Sequence, residues 1–194
     1  MLGDLLGELA SKAVSALDRS GARYAVCGGV AIALSGRGRS TRDLDVLTVM
    51  SDQDISTFIA AAREEGFSHH ERADRHRLDD IVLYRFWLPV RGTDLSTSLD
   101  LQVGLSAYHK QVLDRAREVS LSGQSVKVVA PEDLVLTKLS AFRPIDRADV
   151  IDVICLNNLD FDYIRHWAGR LNLDDRLADV VEAARMFTES SSDE

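Results

Sequence analysis

The chain of 194 residues is poor in cysteine and has no long apolar run, and each shortage excludes a class of protein. Its two cysteines, Cys27 and Cys155, lie far apart in apolar surroundings, which predicts buried thiols in a reducing cytoplasm rather than a disulfide framework or a zinc site. The longest apolar run, residues 24–34, covers 11 residues and contains two glycines, whereas a membrane-spanning helix needs about 20 apolar residues. No base precedes Lys12, so we expect no secretory signal, no membrane partner and a cytoplasmic location.

Basic residues are also in short supply. The 23 lysines and arginines against 31 aspartates and glutamates give a formal net charge of −8, which disfavours non-specific coating of nucleic acid. Residues 171–194 contain seven acids and two bases and so carry −5 of that total, which leaves −3 for the first 170 residues. The acidic sum therefore does not exclude a local site for a phosphate-bearing ligand.

What is present is an ordinary globular composition, with 45% hydrophobic residues, in two stretches of different character. Apolar periodicity predicts alternating elements first: a helix over 5–17, strands over 24–27 and 44–50, a helix over 51–65, strands over 80–90 and 98–103, a helix over 108–119 and a strand over 125–129. Beyond Ala130 it predicts helices over 131–141, 147–157, 161–171 and 174–187. We therefore predict an α+β core over residues 1–130 and a C-terminal helical region over 131–194 packed on it.

The clearest chemical signal is a pair of glycines, Gly28-Gly29, followed by Asp43-Leu44-Asp45. On a strand, Asp43 and Asp45 point to the same side about 7 Å apart, while Leu44 points into the core. Two carboxylates held that close repel each other unless a positive charge lies between them. Mg²⁺ prefers such oxygen ligands, and two ions can clamp the attacking and leaving oxygens of a phosphoryl transfer.

The residues around this pair suit the same chemistry. Glycines between a strand and a helix let the backbone approach a ligand closely, and the helix N-terminus points its N–H groups at phosphate. Arg37, Arg39 and Arg42 lie between the two motifs and fit the charge of a triphosphate or a nucleic-acid backbone. A third carboxylate would complete the site. Asp100, the polar member of an alternating strand, is the better candidate, and Asp94, in a predicted turn, is the weaker one.

These motifs resemble the signature of the DNA polymerase-beta-type nucleotidyltransferase superfamily, and they are most similar to the abortive-infection toxin (AbiEii-like) nucleotidyltransferases. The resemblance covers about residues 24–154. It is carried by Gly28-Gly29 with Arg39-Ser40-Thr41-Arg42-Asp43-Leu44-Asp45, and by Pro131-Glu132-Asp133-Leu134 with Lys138, Arg143-Pro144, Asp146 and Asp149. It implies a nucleotidyltransferase fold with a mixed central sheet flanked by helices, followed by a C-terminal helical bundle.

The resemblance also implies the metal ligands. Asp43 and Asp45 would hold two Mg²⁺ ions, for which Mn²⁺ can substitute. Asp100 would hold the catalytic metal and help to activate the attacking hydroxyl as a base. The reaction implied is transfer of a nucleoside monophosphate (NMP) from a nucleoside triphosphate (NTP) such as ATP to a hydroxyl acceptor.

The nucleotide contacts implied by the resemblance fall on five further residues. Gly28 and Gly29 would contact the triphosphate, Arg39 and Thr41 would support the loop or the phosphates, and Lys138 would neutralise charge on the nucleotide. From the residues alone, Lys138 is equally explained as a solvated helix residue. By the same reasoning Arg143, Asp146 and Asp149 form an ion-pair network at the surface.

The acceptor stays open at this stage. The family resemblance implies RNA or tRNA as the target of a toxin that has a cognate antitoxin protein, and protein is a further acceptor. An aminoglycoside-type enzyme acting on a small molecule shares the same chemistry, and a catalytically silent nucleotide sensor or protein-binding module is the non-enzymatic alternative. The His/Arg patch over residues 69–77 is predicted as a solvated loop, with contact to acceptor RNA as the alternative. Trp87 and Trp167 are predicted to be core or interface residues.

Overall fold

The computed structural model describes residues 2–36, 41–78, 80–121 and 123–191. The chain divides into two compact units, Met1–Val30 with Ser40–Val129 and Ala31–Arg39 with Ala130–Glu194. The second unit thus takes in a segment, 31–39, that the predicted boundary at residue 130 assigns to the core.

The first unit is built on a seven-stranded mixed sheet, which confirms the α+β prediction. Its strands are β1 (Tyr24–Cys27), β2 (Leu44–Thr48), β3 (Arg75–Leu78), β4 (Ile81–Pro89), β5 (Ser96–Gly104), β6 (Arg117–Leu121) and β7 (Gln124–Val128). They lie in the order β3-β4-β5-β2-β1-β7-β6. The pairs β2–β5 and β1–β7 are parallel, and the other neighbours are antiparallel.

The helices are α1 (Leu2–Ser20), α2 (Gly28–Ser35), α3 (Asp52–Glu64) and α4 (Ala107–Arg115), of which α2 runs from the first unit into the second. Strand β4 shows which face of the sheet the core occupies. Phe86 and its same-face neighbours are buried, and Phe86 meets Phe58 of α3 edge to face at 5.2 Å between ring centroids. The residues between them, including Arg85 and Trp87, are half-buried. Helix α3 therefore covers one face of β4, and the face that carries Arg85 stays partly open.

The start of α3 follows the predicted capping signal. The Ser51 hydroxyl accepts the Asp54 N–H, and the Asp54 carboxylate accepts the Ser51 N–H, which is a reciprocal capping box. The helix ends at Glu64, and Gly66 follows with a φ of +95°, where glycine is favoured.

Two strands differ from the sequence prediction. Strand β3 falls in the patch predicted as a solvated loop; its four residues are exposed, but their backbone pairs with β4. In the same patch His69 is half-buried and stacks on Phe86 at 4.7 Å. Strand β6 begins at Arg117, where a helix was predicted as far as residue 119, because Gly123 turns the chain back and β6 pairs with β7.

The second unit contains the four predicted helices, α5 (Pro131–Ala141), α6 (Pro144–Leu156), α7 (Phe161–Leu171) and α8 (Asp174–Ser191). Helix α6 begins three residues earlier than predicted, because Pro144 sits in its first turn, where its missing N–H costs nothing. Helix α5 packs against α6 and α7, and α8 packs against α6.

The cysteine and tryptophan predictions hold in part. Cys27 is buried as predicted, whereas Cys155 is half-exposed, and no disulfide joins the two. Trp87 and Trp167 are both half-exposed and lie outside the buried core, so of the two predicted roles only that of interface residues stays a prediction. Of the helices in the described ranges, none is long and apolar enough to cross a membrane.

Candidate active site

The three predicted aspartates meet where β2 and β5 run side by side. Asp45 and Asp100 are direct partners in the parallel register of these strands, and Asp43 precedes β2 by one residue. Neighbouring strands lie about 4.8 Å apart, so the two paired aspartates are as close as adjacent strand residues can be. The Ser98 hydroxyl on β5 donates to Asp43 Oδ1 at 2.9 Å, which connects Asp43 to the strand that carries Asp100. The structure therefore brings Asp43, Asp45 and Asp100 together.

Gly28 lies against this group because β1 pairs with β2. Cys27 is the register partner of Asp45, and Gly28 follows it with a φ of +58° at the start of α2. A Cβ atom at Gly28 would stand 1.9 Å from Asp45 Oδ2, which no packing tolerates. Glycine is thus required here both by the backbone and by the Asp45 carboxylate.

Gly29 faces the chain segment that leads into the first aspartate. A Cβ atom at Gly29 would lie 2.9 Å from the Thr41 Oγ1 atom. The Thr41 hydroxyl donates to the Asp43 carbonyl at 3.2 Å, so Thr41 stands between the glycine turn and Asp43. The predicted site residues Gly28, Gly29 and Thr41 therefore surround the same aspartates.

Asp100 is bound by an arginine that the sequence analysis did not single out. Arg85 Nε and Nη2 donate to the two Asp100 carboxylate oxygens at 2.7 and 2.6 Å. The Asp100 side chain is 10% exposed and the Arg85 side chain 40%. The hydrogen bond to Asp100 raises the pKa of Arg85, and the negative charges of Asp100, Asp43 and Asp45 raise it further. Arg85 is therefore within electrostatic reach of all three carboxylates.

The donor set fits a hard divalent cation. The three carboxylates, on β5, on β2 and on the residue that precedes β2, are ligands that Mg²⁺ and Mn²⁺ accept. Within the described residues, no three His, Cys, Asp or Glu side chains close into a preformed metal cluster. Asp100 is turned to Arg85 and Asp43 to Ser98 by their hydrogen bonds.

The remaining predicted residues near the site fall in different places. Arg37 and Arg39 lie outside the described residues. Arg42 is exposed, and its carbonyl accepts the Thr97 hydroxyl. Asp94, the weaker candidate for the third carboxylate, is exposed in the bend before β5, whereas Asp100 lies on the strand itself.

Lys138 lies in the second unit, inside a cluster of charges that we call the Lys138 cluster: Lys138, Arg143, Asp146 and Asp149. Lys138 Nζ donates to Asp146 at 2.9 Å and to Asp149 at 2.8 Å. The Arg143 guanidinium donates to Asp146 at 2.7 Å. Lys138 is 7% exposed, Asp146 0% and Asp149 5%, so the interpretation of these three residues as solvated is wrong. The Arg143 side chain, which is 67% exposed, does lie at the surface.

The hydrogen bonds of this cluster also lower the pKa of Asp146. Burial alone would raise the pKa of Asp146, but the hydrogen bonds from Arg143 and Lys138, with the charge of Lys138, lower it to about 2. Nearby in the same unit, the Tyr163 hydroxyl donates to Asp133 at 2.6 Å. The second stretch of the resemblance, residues 131–149, thus contains a network of hydrogen bonds between its own side chains and neighbouring helices. The predicted contact between Lys138 and a nucleotide stays a prediction.

Sequence reasoning missed the β4 and β5 side chains that bind the aspartates. Ser98, Asp100 and Gln102 alternate along one face of β5, and Gln102 Nε2 lies 3.4 Å from Asp45 Oδ1. The alternation that selected Asp100 also contained Ser98 and Gln102. Arg85 had a similar signal, since it is the charged residue in an otherwise apolar and aromatic strand.

The chain matches one family model over residues 6–187, and that family is described as a nucleotidyltransferase of unknown function, DUF6036. No curated protein matches the sequence of this chain. Its fold is similar to the solution structure of the antibiotic-resistance factor ANT(2'')-Ia, at 16% identity over 99% of this chain and 95% of that one, with a TM-score of 0.51.

Two further solved structures share the fold. An antigenic nucleotidyltransferase-like protein from Paracoccidioides brasiliensis is 20% identical over 92% of each chain, with a TM-score of 0.52. The lincosamide antibiotic adenylyltransferase LnuA, solved with lincomycin bound, is 16% identical over 78% of this chain and 97% of that one, with a TM-score of 0.50. At these identities the likeness establishes the fold.

Proposed function

The chain belongs to the DUF6036 family and is a nucleotidyltransferase, and we propose that it moves an NMP from an NTP to a hydroxyl acceptor with the help of divalent metal. The observation that carries this proposal is the meeting of Asp43, Asp45 and Asp100 on β2 and β5, beside the glycine turn at Gly28. Carboxylates brought this close together are ligands through which a divalent metal can promote phosphoryl transfer.

The reaction balances without any further reactant. The acceptor oxygen attacks the α-phosphorus of the NTP, a new oxygen–phosphorus bond forms, and the bond to the leaving pyrophosphate breaks. The hydroxyl proton passes to the Asp100 carboxylate, which lies beside Asp45, and from there to solvent.

Asp43, Asp45 and Asp100 would hold the metal, which would stabilise the negative charge on the phosphoryl group during its transfer. The chain's own residues supply position. Gly28 lets the Asp45 carboxylate lie directly against the backbone, and Gly28 and Gly29 form the first turn of α2, whose first N–H groups can receive phosphate.

Arg39 and Thr41 are proposed to support the phosphates from the segment before Asp43. Lys138 is proposed to neutralise charge on the nucleotide. These assignments come from the family motif, and a rise in KM for NTP in the Thr41→Ala and Lys138→Arg variants tests them.

The direct test is a mass-spectrometric search for added NMP after incubation with each NTP, Mg²⁺ and a lysate. Wild type should label an acceptor, and Asp43→Asn and Asp45→Asn should not, with Asp114→Asn as a control on an exposed aspartate of the same unit. Equal labelling by wild type and by both site variants contradicts the proposal. Metal-dependent NTP binding without transfer to any acceptor supports a nucleotide-sensing module instead.

A specific surface feature favours RNA as the acceptor. Strand β3 is exposed at the sheet edge and carries Arg75, His76 and Arg77 in sequence, and Arg72 precedes it. Such a run suits the phosphate backbone of RNA rather than a cationic drug. This supports RNA or tRNA as the acceptor. That the chain is a toxin held by an antitoxin stays a proposal from the resemblance to the AbiEii-like enzymes. Growth arrest on expression, relieved by Asp43→Asn, tests it.

The similar structures bring a small-molecule acceptor as the second candidate. LnuA is a lincosamide adenylyltransferase and ANT(2'')-Ia an antibiotic-resistance factor, and both share this fold. The matching proposal is transfer of AMP from ATP to a hydroxyl of an antibiotic. Protection of a sensitive strain by wild type but not by Asp45→Asn supports it, and growth arrest without protection contradicts it.

A further inference from the structure

Arg85 holds the third aspartate by both of its oxygens. It lies opposite Asp100 in the antiparallel register of β4 and β5, and its planar fork matches the carboxylate at 2.7 and 2.6 Å. Each carboxylate oxygen has two lone pairs, so this pairing leaves one on each oxygen for another ligand. Arg85 can therefore orient Asp100 without blocking it.

Arg85 is itself held in place from the far side. Its Cζ atom lies 5.6 Å from the centre of the Trp87 ring, and Trp87 Nε1 donates to Asp74 at 3.4 Å. The Arg85 backbone N–H donates to the Asp74 carbonyl at 2.7 Å, and His69 Nδ1 lies 2.8 Å from the Arg85 carbonyl oxygen. Both the backbone and the guanidinium of Arg85 therefore have fixed positions.

The charge of Arg85 has two opposite consequences at the site. Asp100 is nearly buried, and a buried carboxylate is costly unless it is paired, so the two hydrogen bonds from Arg85 offset the cost of its burial. The same guanidinium interacts with the charges of Asp43 and Asp45 and therefore repels a divalent ion that approaches them.

We propose that Arg85 is a positioning residue for Asp100, which fixes this carboxylate beside Asp45 and whose positive charge weakens the binding of divalent metal to the three aspartates. The inference rests on the proposed function, since it assigns Asp100 to the metal site. It adds that the chain carries a cation of its own, Arg85, which competes with the metal for the carboxylates.

Metal binding to the full chain tests the charge effect without any turnover. Free Mn²⁺ is titrated by electron paramagnetic resonance in the absence of NTP. Arg85→Met should bind Mn²⁺ about tenfold more tightly than wild type, because a repelling charge is gone. Arg85→Lys, which keeps the charge, should bind Mn²⁺ within about twofold of wild type. Arg23→Met, which breaks an exposed ion pair with Asp114 in the same unit, is the matched control and should change nothing.

Turnover tests the positioning effect. At saturating Mn²⁺ and NTP, Arg85→Lys should lower kcat about tenfold with little change in KM for NTP, since a lysine cannot reproduce the two-pronged hold on Asp100. Arg85→Met should lower kcat further, although its metal site is fuller. Tighter metal binding combined with slower turnover is a result that general damage to the fold does not produce.

Each result decides between the claims. Weaker or unchanged Mn²⁺ binding by a folded Arg85→Met overturns the inference, as does a wild-type kcat in Arg85→Lys. The second criterion still applies when Arg85→Met does not fold. Wild type that binds no Mn²⁺, with or without NTP, overturns the proposed function and this inference together. If wild type binds Mn²⁺ and the Arg85 variants match it in both Mn²⁺ affinity and kcat, the inference alone is overturned.

Discussion

The two units each contain a cluster of carboxylates, and the clusters differ in how their charge is balanced. In the sheet unit, Asp43, Asp45 and Asp100 lie together, and among the described residues Arg85 brings its guanidinium to Asp100. In the helical unit, the two aspartates of the Lys138 cluster meet two cations, Lys138 and Arg143. By the contacts described, the first cluster is half-open and joins three carboxylates to one guanidinium, whereas the second joins two carboxylates to two cations and buries Lys138, Asp146 and Asp149.

The difference separates a site from a support. A neutral, fully hydrogen-bonded cluster needs nothing from outside, and its role is to fix the packing of α5 against α6. A surplus of carboxylates destabilises the ligand-free protein and becomes favourable when a cation is added. Charge balance therefore supports the metal binding proposed at the aspartates, and it gives Lys138 a structural role besides its proposed contact with the nucleotide, although both motifs carry acids at close spacing.

The largest expected effect is the loss of activity when the surplus charge is reduced. Asp45→Asn should lower the transfer rate at least ~10³-fold, because metal and electrostatic stabilisation carry most of the catalysis. The free energy of unfolding without metal should stay the same or rise, since one of the repelling charges is removed. Urea unfolding beside a rate measurement checks both. A variant that loses stability as well as activity contradicts the contrast between the clusters.

The Lys138 cluster should respond in the opposite way. Asp146→Asn removes the carboxylate that Lys138 and Arg143 share, leaves buried positive charge and should lower the free energy of unfolding by about 3 kcal/mol. Arg147→Met, which breaks the half-exposed pair with Asp179 in the same unit, should lower the free energy of unfolding far less. Denaturant unfolding compares the two. Equal losses would show that burial of the cluster adds nothing.

The sequence predicted individual elements better than their partners. Alternation along 98–103 identified Asp100 on a strand, and the Asp-x-Asp spacing placed Asp43 and Asp45 on another. That β2 and β5 are parallel neighbours is a non-local property, which no local pattern contains. The same limit hid Arg85, because its significance comes from its register partner 15 residues further along the chain.

Burial was the second quantity that local patterns could not provide. The apolar stripe of α5 is weak because most of its residues are buried, Glu132, Asp133 and Lys138 included. Charged residues in a helix usually indicate a solvated face, so the sequence left a solvated Lys138 and a Lys138 that contacts nucleotide as equal alternatives. Strand β3 shows the converse, since it lacks any apolar alternation and forms only because β4 offers it an edge.

Acid should destabilise the protein through the neutral cluster. Asp146 has a pKa of about 2 in the fold, below the ordinary value of ~3.9, so its ionised form favours the folded state. This stabilisation is complete above about pH 5 and is lost as the pH falls towards 2, a change of about 2 kcal/mol. Arg143→Met removes hydrogen bonds that lower this pKa, so it should shift the loss to higher pH. Urea unfolding measured from pH 7 to 2.5 checks this, and a flat stability profile contradicts it.

The smallest expected effect concerns an added methyl group beside the half-open cluster. Gly29→Ala places a Cβ atom 2.9 Å from Thr41 Oγ1, but Thr41 is half-exposed and can give way by a few tenths of an ångström. Alanine also favours the helix, so the free energy of unfolding should change by less than about 1 kcal/mol. KM for NTP should rise about threefold because Thr41 is bonded to the Asp43 carbonyl. Gly21→Ala is the control: no atom stands near its Cβ, and its φ of +68° should cost about 1 kcal/mol with KM unchanged. If Gly29→Ala lowers the free energy of unfolding by more than about 2 kcal/mol, the surroundings of Asp43 and Thr41 are packed as rigidly as the Lys138 cluster.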